Sequence, residues 1–232
     1  MQIVKKYLTD FAHLFFPHIC EGCGSDIIET HNIICAKCYS HLPETGFFNF
    51  SENPVAKIFY GRIKVQYAAS AFYFTKHSLM QNLLIQLKYR GNKDVGIFLG
   101  KITGLQIKKS SLFNNIDIIV PLPLNKKKEF KRGYNQALLI CQGIAEVLQK
   151  PINKNAVVRT VFTETQTHQN RVSRWQNMED VFQIFQPDAI KGKHILLVDD
   201  VVTTGATLEA CGQKILQIDG TQLSIATVAY TL

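Results

Sequence analysis

Residues 195–207, Ile-Leu-Leu-Val-Asp-Asp-Val-Val-Thr-Thr-Gly-Ala-Thr, restrict the fold of this chain more than any other stretch. Four apolar residues in succession ask for a strand buried on both faces. Two acids end the run, and a turn of small residues leads into a helical pattern over 207–218. A buried strand that stops at acids and bends through glycine into a helix belongs in an α/β sheet, whose ligands bind at the carboxyl edge. Backbone N–H groups of the turn from Val202 through Ala206, with the hydroxyls of Thr203, Thr204 and Thr207, can wrap a phosphate monoester. Gly205 is expected to let the backbone approach that phosphate without a side-chain clash. Asp199 and Asp200 can accept hydrogen bonds from the vicinal hydroxyls of a ribose, and Mg²⁺ can sit between acids and a pyrophosphate. The plainer alternative, acids that merely cap N–H groups, accounts for one Asp and one Thr and leaves the rest of the pattern to chance.

The remaining order of elements agrees with that fold class. Strands are expected over 65–74, 116–120, 156–159, 194–198 and 223–230, and helices over 78–89, 94–108, 133–150 and 207–218. Pro121 and Pro123 halt the second strand. Strands that alternate with helices predict an α/β fold with a mainly parallel sheet flanked by helices. Residues 51–61 read as a connector with room for a short helix. Residues 160–180 are long, polar and without period, a length of loop that is often functional. Val4, Leu8, Phe11 and Phe15 fall on one face of an N-terminal amphipathic helix over 1–16. Asp10 and His13 interrupt that stretch, so neither a secretion signal nor a membrane span is expected, and a cytoplasmic location follows.

Four of the six cysteines form two CxxC pairs, Cys20–Cys23 and Cys35–Cys38. Two thiolates on a tight turn can point at one ion, and a second pair completes a tetrahedron around a structural Zn²⁺. Gly22 and Gly24 give the turn its freedom. Two disulfides are the rival reading, which an oxidising compartment would require. A site made of four thiolates has no open position for a substrate, so its metal staples rather than catalyses. Cys141 and Cys211 lie in apolar helical patterns and read as buried core thiols. This divides the chain into a helix and zinc module, 1–50, and a larger domain, 51–232. Lys and Arg number 26 against 18 Asp and Glu, a net charge of +8, which suits an anionic partner.

The segment 195–207 resembles, at every position, the phosphoribosyl pyrophosphate motif of type I phosphoribosyltransferases. The chain as a whole resembles the ComF family (competence protein F), itself similar to amidophosphoribosyltransferases. The resemblance takes in the four cysteines, Lys88-Tyr89-Arg90-Gly91-Asn92, Pro121-Leu122-Pro123, Arg132-Gly133-Tyr134-Asn135-Gln136, and Gln166, Arg174, Asn177 and Phe182. It implies a type I phosphoribosyltransferase fold in which Asp199 and Asp200 meet the ribose and residues 203–207 the 5-phosphate. The turn over 122–125, with Leu124 and Asn125, would receive the pyrophosphate, Lys88 and Arg90 would neutralise it, and Arg174 would close over it from the polar loop.

Three functions remain open on these residues. The resemblance implies a component of DNA uptake and natural transformation that binds phosphoribosyl pyrophosphate beside single-stranded DNA and a competence helicase. Lys126-Lys127-Lys128, Lys131, Arg132, Lys5-Lys6 and Lys108-Lys109 are cations available to DNA, with a solvated face, or for the Lys126 run the pyrophosphate, as the alternative, and Tyr39, Phe47, Phe48 and Phe50 are aromatics that either stack on bases or fill the core. The alternatives are a free-standing phosphoribosyltransferase for an unidentified base or amine, and a non-catalytic phosphoribosyl pyrophosphate sensor. Transfer of this kind is positioning and electrostatics, so no distinctive side chain certifies a reaction. No cysteine stands at the start, Met1-Gln2, to release ammonia from glutamine. The fold often dimerises, and a homodimer is compatible with the resemblance, though no residue requires one.

Overall fold

The computed structural model describes residues 18–26, 32–160 and 181–231. The helix expected over 1–16 lies outside them, as do Gln166, Arg174 and Asn177. In chain order the elements are α1 (Ala36–Ser40), a 3₁₀ turn (Phe47–Asn49), α2 (Pro54–Phe59), β1 (Ala68–Phe74), α3 (Leu79–Tyr89), α4 (Lys93–Lys109), β2 (Ile118–Pro121), α5 (Lys126–Arg132), α6 (Gln136–Leu148), β3 (Val157–Arg159), β4 (Phe182–Ile184), α7 (Pro187–Ile190), β5 (His194–Val202), α8 (Ala206–Leu216) and β6 (Gln222–Thr231).

The apolar runs assemble as parallel strands in the order β1-β6-β5-β2. Ile195 to Val198 and Ile225 to Ala226 are fully buried, as strands covered on both faces must be. Because all four strands run the same way, their carboxyl ends share one edge. Pro121 pairs with Val198, and Asp199 with Thr227. The ladder therefore carries β5 past the expected end at Val198, through both acids to Val202. β3 and β4 pair antiparallel as a separate ribbon, the part of the fold that departs from the parallel pattern.

Side-chain caps set the helix starts. Ser78 accepts from Gln81 N at 3.2 Å, Asn92 from Val95 N at 3.4 Å and Asn135 from Ala137 N at 2.9 Å, each satisfying an N–H group that the first turn leaves unpaired. The expected helix over 133–150 begins only at Gln136, because Gly133, at φ 80°, ends α5 instead. α4 and α6 pack with their backbones in contact. A Cβ on Gly100 would fall on the Ile140 carbonyl, and one on Gly143 on the Ile97 carbonyl.

The cysteine segment docks on the first turn of α3. Asn82 Nδ2 donates to the Gly22 carbonyl at 2.9 Å, and a Cβ on Gly22 would stand 2.6 Å from Leu79 Cδ1. Phe47 and Phe48 are buried, Phe48 edge-on to Phe113 at 5.1 Å, so these two rings serve the core and not a nucleic acid. Cys141 and Cys211 are fully buried, as expected of core thiols. Among the described residues no helix is long and apolar enough to cross a membrane.

Candidate functional site

β5 delivers Asp199 and Asp200 to the carboxyl edge of the sheet, and the turn that follows leads into α8. Thr203, Thr204, Ala206 and Thr207 are exposed, while Val202 and Gly205 are buried. The exposed side of this turn is where its N–H groups can meet an anion. Gly205 has φ 72°, and a Cβ there would lie 2.6 Å from Ile58 Cγ2 and 3.0 Å from Phe59 Cε1. Glycine is thus required by a left-handed backbone pressed against α2, on the side away from open solvent. This packing is a reason for glycine separate from the close approach to a phosphate expected from the sequence.

Arg62, which no local pattern singles out, braces the same turn. Its Nη1 donates to Thr204 O at 2.8 Å and Ile58 O at 3.0 Å, and its other nitrogen pairs with Glu209 on α8. The partners on the turn and on α8 lie 142 and 147 residues away in sequence, so the sequence carries no signal for them.

The two acids differ in environment. Asp199 is half-buried and its Oδ1 accepts from Asp200 N at 2.8 Å. Burial first, then the Asp200 carboxylate, push the Asp199 carboxyl up to about 8, against the Asp200 N–H, Lys88 and Arg132, which pull it down. Asp200 is 4% exposed. Its Oδ1 pairs with Lys88 Nζ at 3.1 Å, and its Oδ2 is buried without a hydrogen-bond partner. Both acids were expected to stand open to a ligand; Asp200 instead lies beneath Lys88. An orphaned buried carboxylate oxygen is costly, and a hydroxyl donor brought to it would satisfy it.

β2 supplies the neighbouring turn. Leu122 N continues the ladder to Val198 O at 2.8 Å. Asn135 Nδ2 donates to Leu122 O at 3.0 Å, and Asn125 caps α5 by accepting from Lys127 N at 3.0 Å. Leu124 lines a cavity of about 300 Å³ with Pro123, Lys126 and Arg159. Lys88 lines a second cavity of about 500 Å³ with Tyr89, Gly91, Lys128, Lys131 and Arg132. Arg90 is exposed at the end of α3. The fold thus gathers Lys88, Leu124, Asn125 and residues 199–207 around one sheet edge, while Arg174 lies outside the described residues.

Away from this edge, the sulfurs of Cys20, Cys23, Cys35 and Cys38 all lie within 4.8 Å of one another, a cluster that can hold one metal ion. All four are free thiols. Burial acts to raise the Cys20 thiol, but the N–H groups of Cys35, Cys23 and Gly22 outweigh it and hold it at about 6; Cys35 N lies 3.2 Å from the sulfur. Burial and the neighbouring thiols push Cys38 up. Four cysteine sulfurs gathered this closely, with N–H donors favouring the thiolate at Cys20, are a donor set suited to a soft, tetrahedral cation.

Several known proteins are similar to parts of this chain. A phosphoribosyl transferase domain matches residues 135–231. The DNA utilization protein YhgH of Escherichia coli K12 is 29% identical over 153 residues, 65% of this chain and 66% of that protein, just under two-thirds of its length. Competence protein F of Haemophilus influenzae is 23% identical over 220 residues, 91% of this chain and 96% of that one. Among solved structures, a glutamine phosphoribosylpyrophosphate amidotransferase from B. subtilis, complexed with ADP and GMP, superposes with a TM-score of 0.45 at 16% identity, covering 62% of this chain and 30% of its own. The chain is a distant homologue of competence proteins, with a phosphoribosyltransferase-like α/β fold and a four-cysteine cluster.

Proposed function

We propose that this chain is a phosphoribosyl pyrophosphate-binding protein of the ComF type that acts in DNA uptake and natural transformation. The observation that carries the ligand is the joint presence, at one strand end, of paired acids with an orphaned oxygen and an exposed Thr-rich turn. In this reading the ribose hydroxyls donate to Asp199 and Asp200, satisfying Asp200 Oδ2. Amides of the turn from Val202 to Ala206, with the Thr203, Thr204 and Thr207 hydroxyls, hold the 5-phosphate. Lys88 leaves Asp200 for the pyrophosphate, which the Leu124 and Asn125 turn receives, and Arg174 closes over it. Mg²⁺, when bound with the ligand, supplies neutralising charge for the pyrophosphate. The four thiolates hold a structural Zn²⁺, residues 1–50 form the module it staples, and 51–232 form the ligand-binding domain. The names of the relatives, DNA utilization and competence, support the role in DNA handling, in the cytoplasm beside a competence helicase.

Titration calorimetry with phosphoribosyl pyrophosphate, with and without Mg²⁺, tests the ligand. Saturable binding that Asp200→Asn abolishes is expected; affinity unchanged in that variant rejects the assignment. Incubation with pooled nucleobases and amines separates binding from transfer, since only a transferase releases pyrophosphate in proportion to an acceptor.

A further inference from the structure

Arg62 follows α2 and joins three segments that stand apart in the chain. Its Nη1 donates to Ile58 O at 3.0 Å, one of the carbonyls that the last turn of α2 leaves unpaired. The same nitrogen donates to Thr204 O at 2.8 Å, in the turn that follows β5. The other terminal nitrogen pairs with the Glu209 carboxylate in the first turn of α8. A guanidinium is a rigid fork with N–H groups in fixed directions, so three partners held at once leave the side chain one position.

That grip fixes a peptide plane. The peptide bonds of the described residues are trans, and in a trans peptide the C=O and the N–H point in opposite directions. With Thr204 O drawn to Arg62 on the α2 side, the Gly205 N–H of the same unit points away from α2. No side chain caps α8, whereas Asn or Ser caps each of α2 to α6. The N–H groups at the start of α8 therefore remain for a ligand.

Glu209 is the second half of the arrangement. A carboxylate in the first turn steadies an empty helix start, but it repels an anion bound there. Arg62 cancels that charge, and both side chains are partly covered, so water screens neither fully.

We propose that Arg62 is a positioning residue for the 5-phosphate of a phosphorylated sugar. It turns the Gly205 N–H toward the phosphate and neutralises Glu209, while its own N–H groups are taken up by protein partners and not by the ligand. The inference rests on the phosphoribosyl reading above and adds to it a residue outside the segment 195–207.

Calorimetry of the full chain with ribose 5-phosphate, together with amide spectra of protein carrying isotope-labelled glycine, tests it. In the parent the Gly205 amide proton should move downfield as ribose 5-phosphate is added, as an N–H does when it meets a charged acceptor. Arg62→Gln should weaken ribose 5-phosphate by about 10- to 100-fold, the loss of one hydrogen bond to a charged group, and should abolish that movement. Glu209→Gln leaves Arg62 on Thr204 and removes the repelling charge, so it should tighten binding by about two- to fivefold, the range for one charge at a helix end. Adding it to Arg62→Gln should recover only part of the loss, because the peptide stays unheld. A residue that merely stabilised the fold would lower the unfolding midpoint and leave the Gly205 response of the folded protein intact. If circular dichroism shows Arg62→Gln unfolded, Arg62→Lys takes its place; it keeps the charge but not the fork and should show the same losses in smaller measure.

A parent that binds neither ribose 5-phosphate nor phosphoribosyl pyrophosphate overturns the phosphoribosyl reading and this proposal with it. A parent that binds, loses affinity in Asp200→Asn and keeps it in the Arg62 variant overturns this proposal alone. So does a Gly205 amide that ignores the ligand in the parent, or one that still responds in the variant.

Discussion

Lys88 Nζ lies 3.1 Å from Asp200 Oδ1 and so ties the last turn of α3 to the carboxyl end of β5. The first turn of the same helix carries Leu79 and Asn82, which hold the cysteine segment at Gly22. One helix thereby touches both clusters of chemically distinctive side chains. With its Asp200 partner only 4% exposed, this ion pair is shielded from solvent far more than a surface pair.

Removing one member of a buried pair strands the other. Lys88→Met is expected to destabilise the fold by about 1–3 kcal/mol, between the values for surface and for buried pairs because Lys88 keeps some exposure. Adding Asp200→Asn should restore most of that loss, since no buried charge then remains uncompensated. Urea unfolding of the parent, the two single variants and the double variant measures the coupling; additive effects would mean that the pair carries no interaction energy.

The stability that Asp199 contributes should fall as pH rises through the neutral range. Burial and the Asp200 charge lift the Asp199 carboxyl from 3.8 to about 8, so between those values the native state holds a proton that the unfolded chain releases. The contribution of Asp199 is therefore fully present at acid pH and is lost on approach to about pH 8. Asp199→Asn should flatten this slope, leaving a variant whose stability relative to the parent improves with increasing pH. Unfolding midpoints measured across the range give the comparison directly.

Loss of one thiolate should empty the cysteine cluster. Cys35→Ser is expected to lower the zinc content, measured by elemental analysis, well below one equivalent, and to make the module sensitive to proteolysis. Retention of a full equivalent would exclude the four-thiolate site. Because ligand thiols must shed protons to bind metal, the parent should also release zinc as pH is lowered.

Gly205→Ala combines a left-handed backbone at φ 72° with a methyl group 2.6 Å from Ile58 Cγ2. An expected cost of about 2–4 kcal/mol follows from the strain of the left-handed conformation and from overpacking. Ala206→Gly next to it, at an exposed helix start, should cost no more than about 1 kcal/mol. Thermal unfolding separates the two, and similar losses in both variants would show that α2 yields readily to the added methyl.

Local patterns carried much of this protein. The run from Ile195 to Val198 could only be a buried strand, since four consecutive apolar side chains need cover on both faces, and the helical periods over 78–89 and 94–108 forecast α3 and α4 to within a residue. The two CxxC pairs forecast the sulfur cluster because short loops leave two thiolates little choice of direction. Tertiary structure decided the rest, wherever the partners stand far apart in the chain. Gly100 and Gly143 are small because two helices meet there backbone to backbone; Gly205 is a glycine because α2 lies against it; α5 exists although it buries nothing. Lys88 meets Asp200, 112 residues further along the chain. Hydrophobic period and capping chemistry act over one or two turns, whereas contact between distant segments is set by how the whole core closes, and that closure chose which acid would be covered.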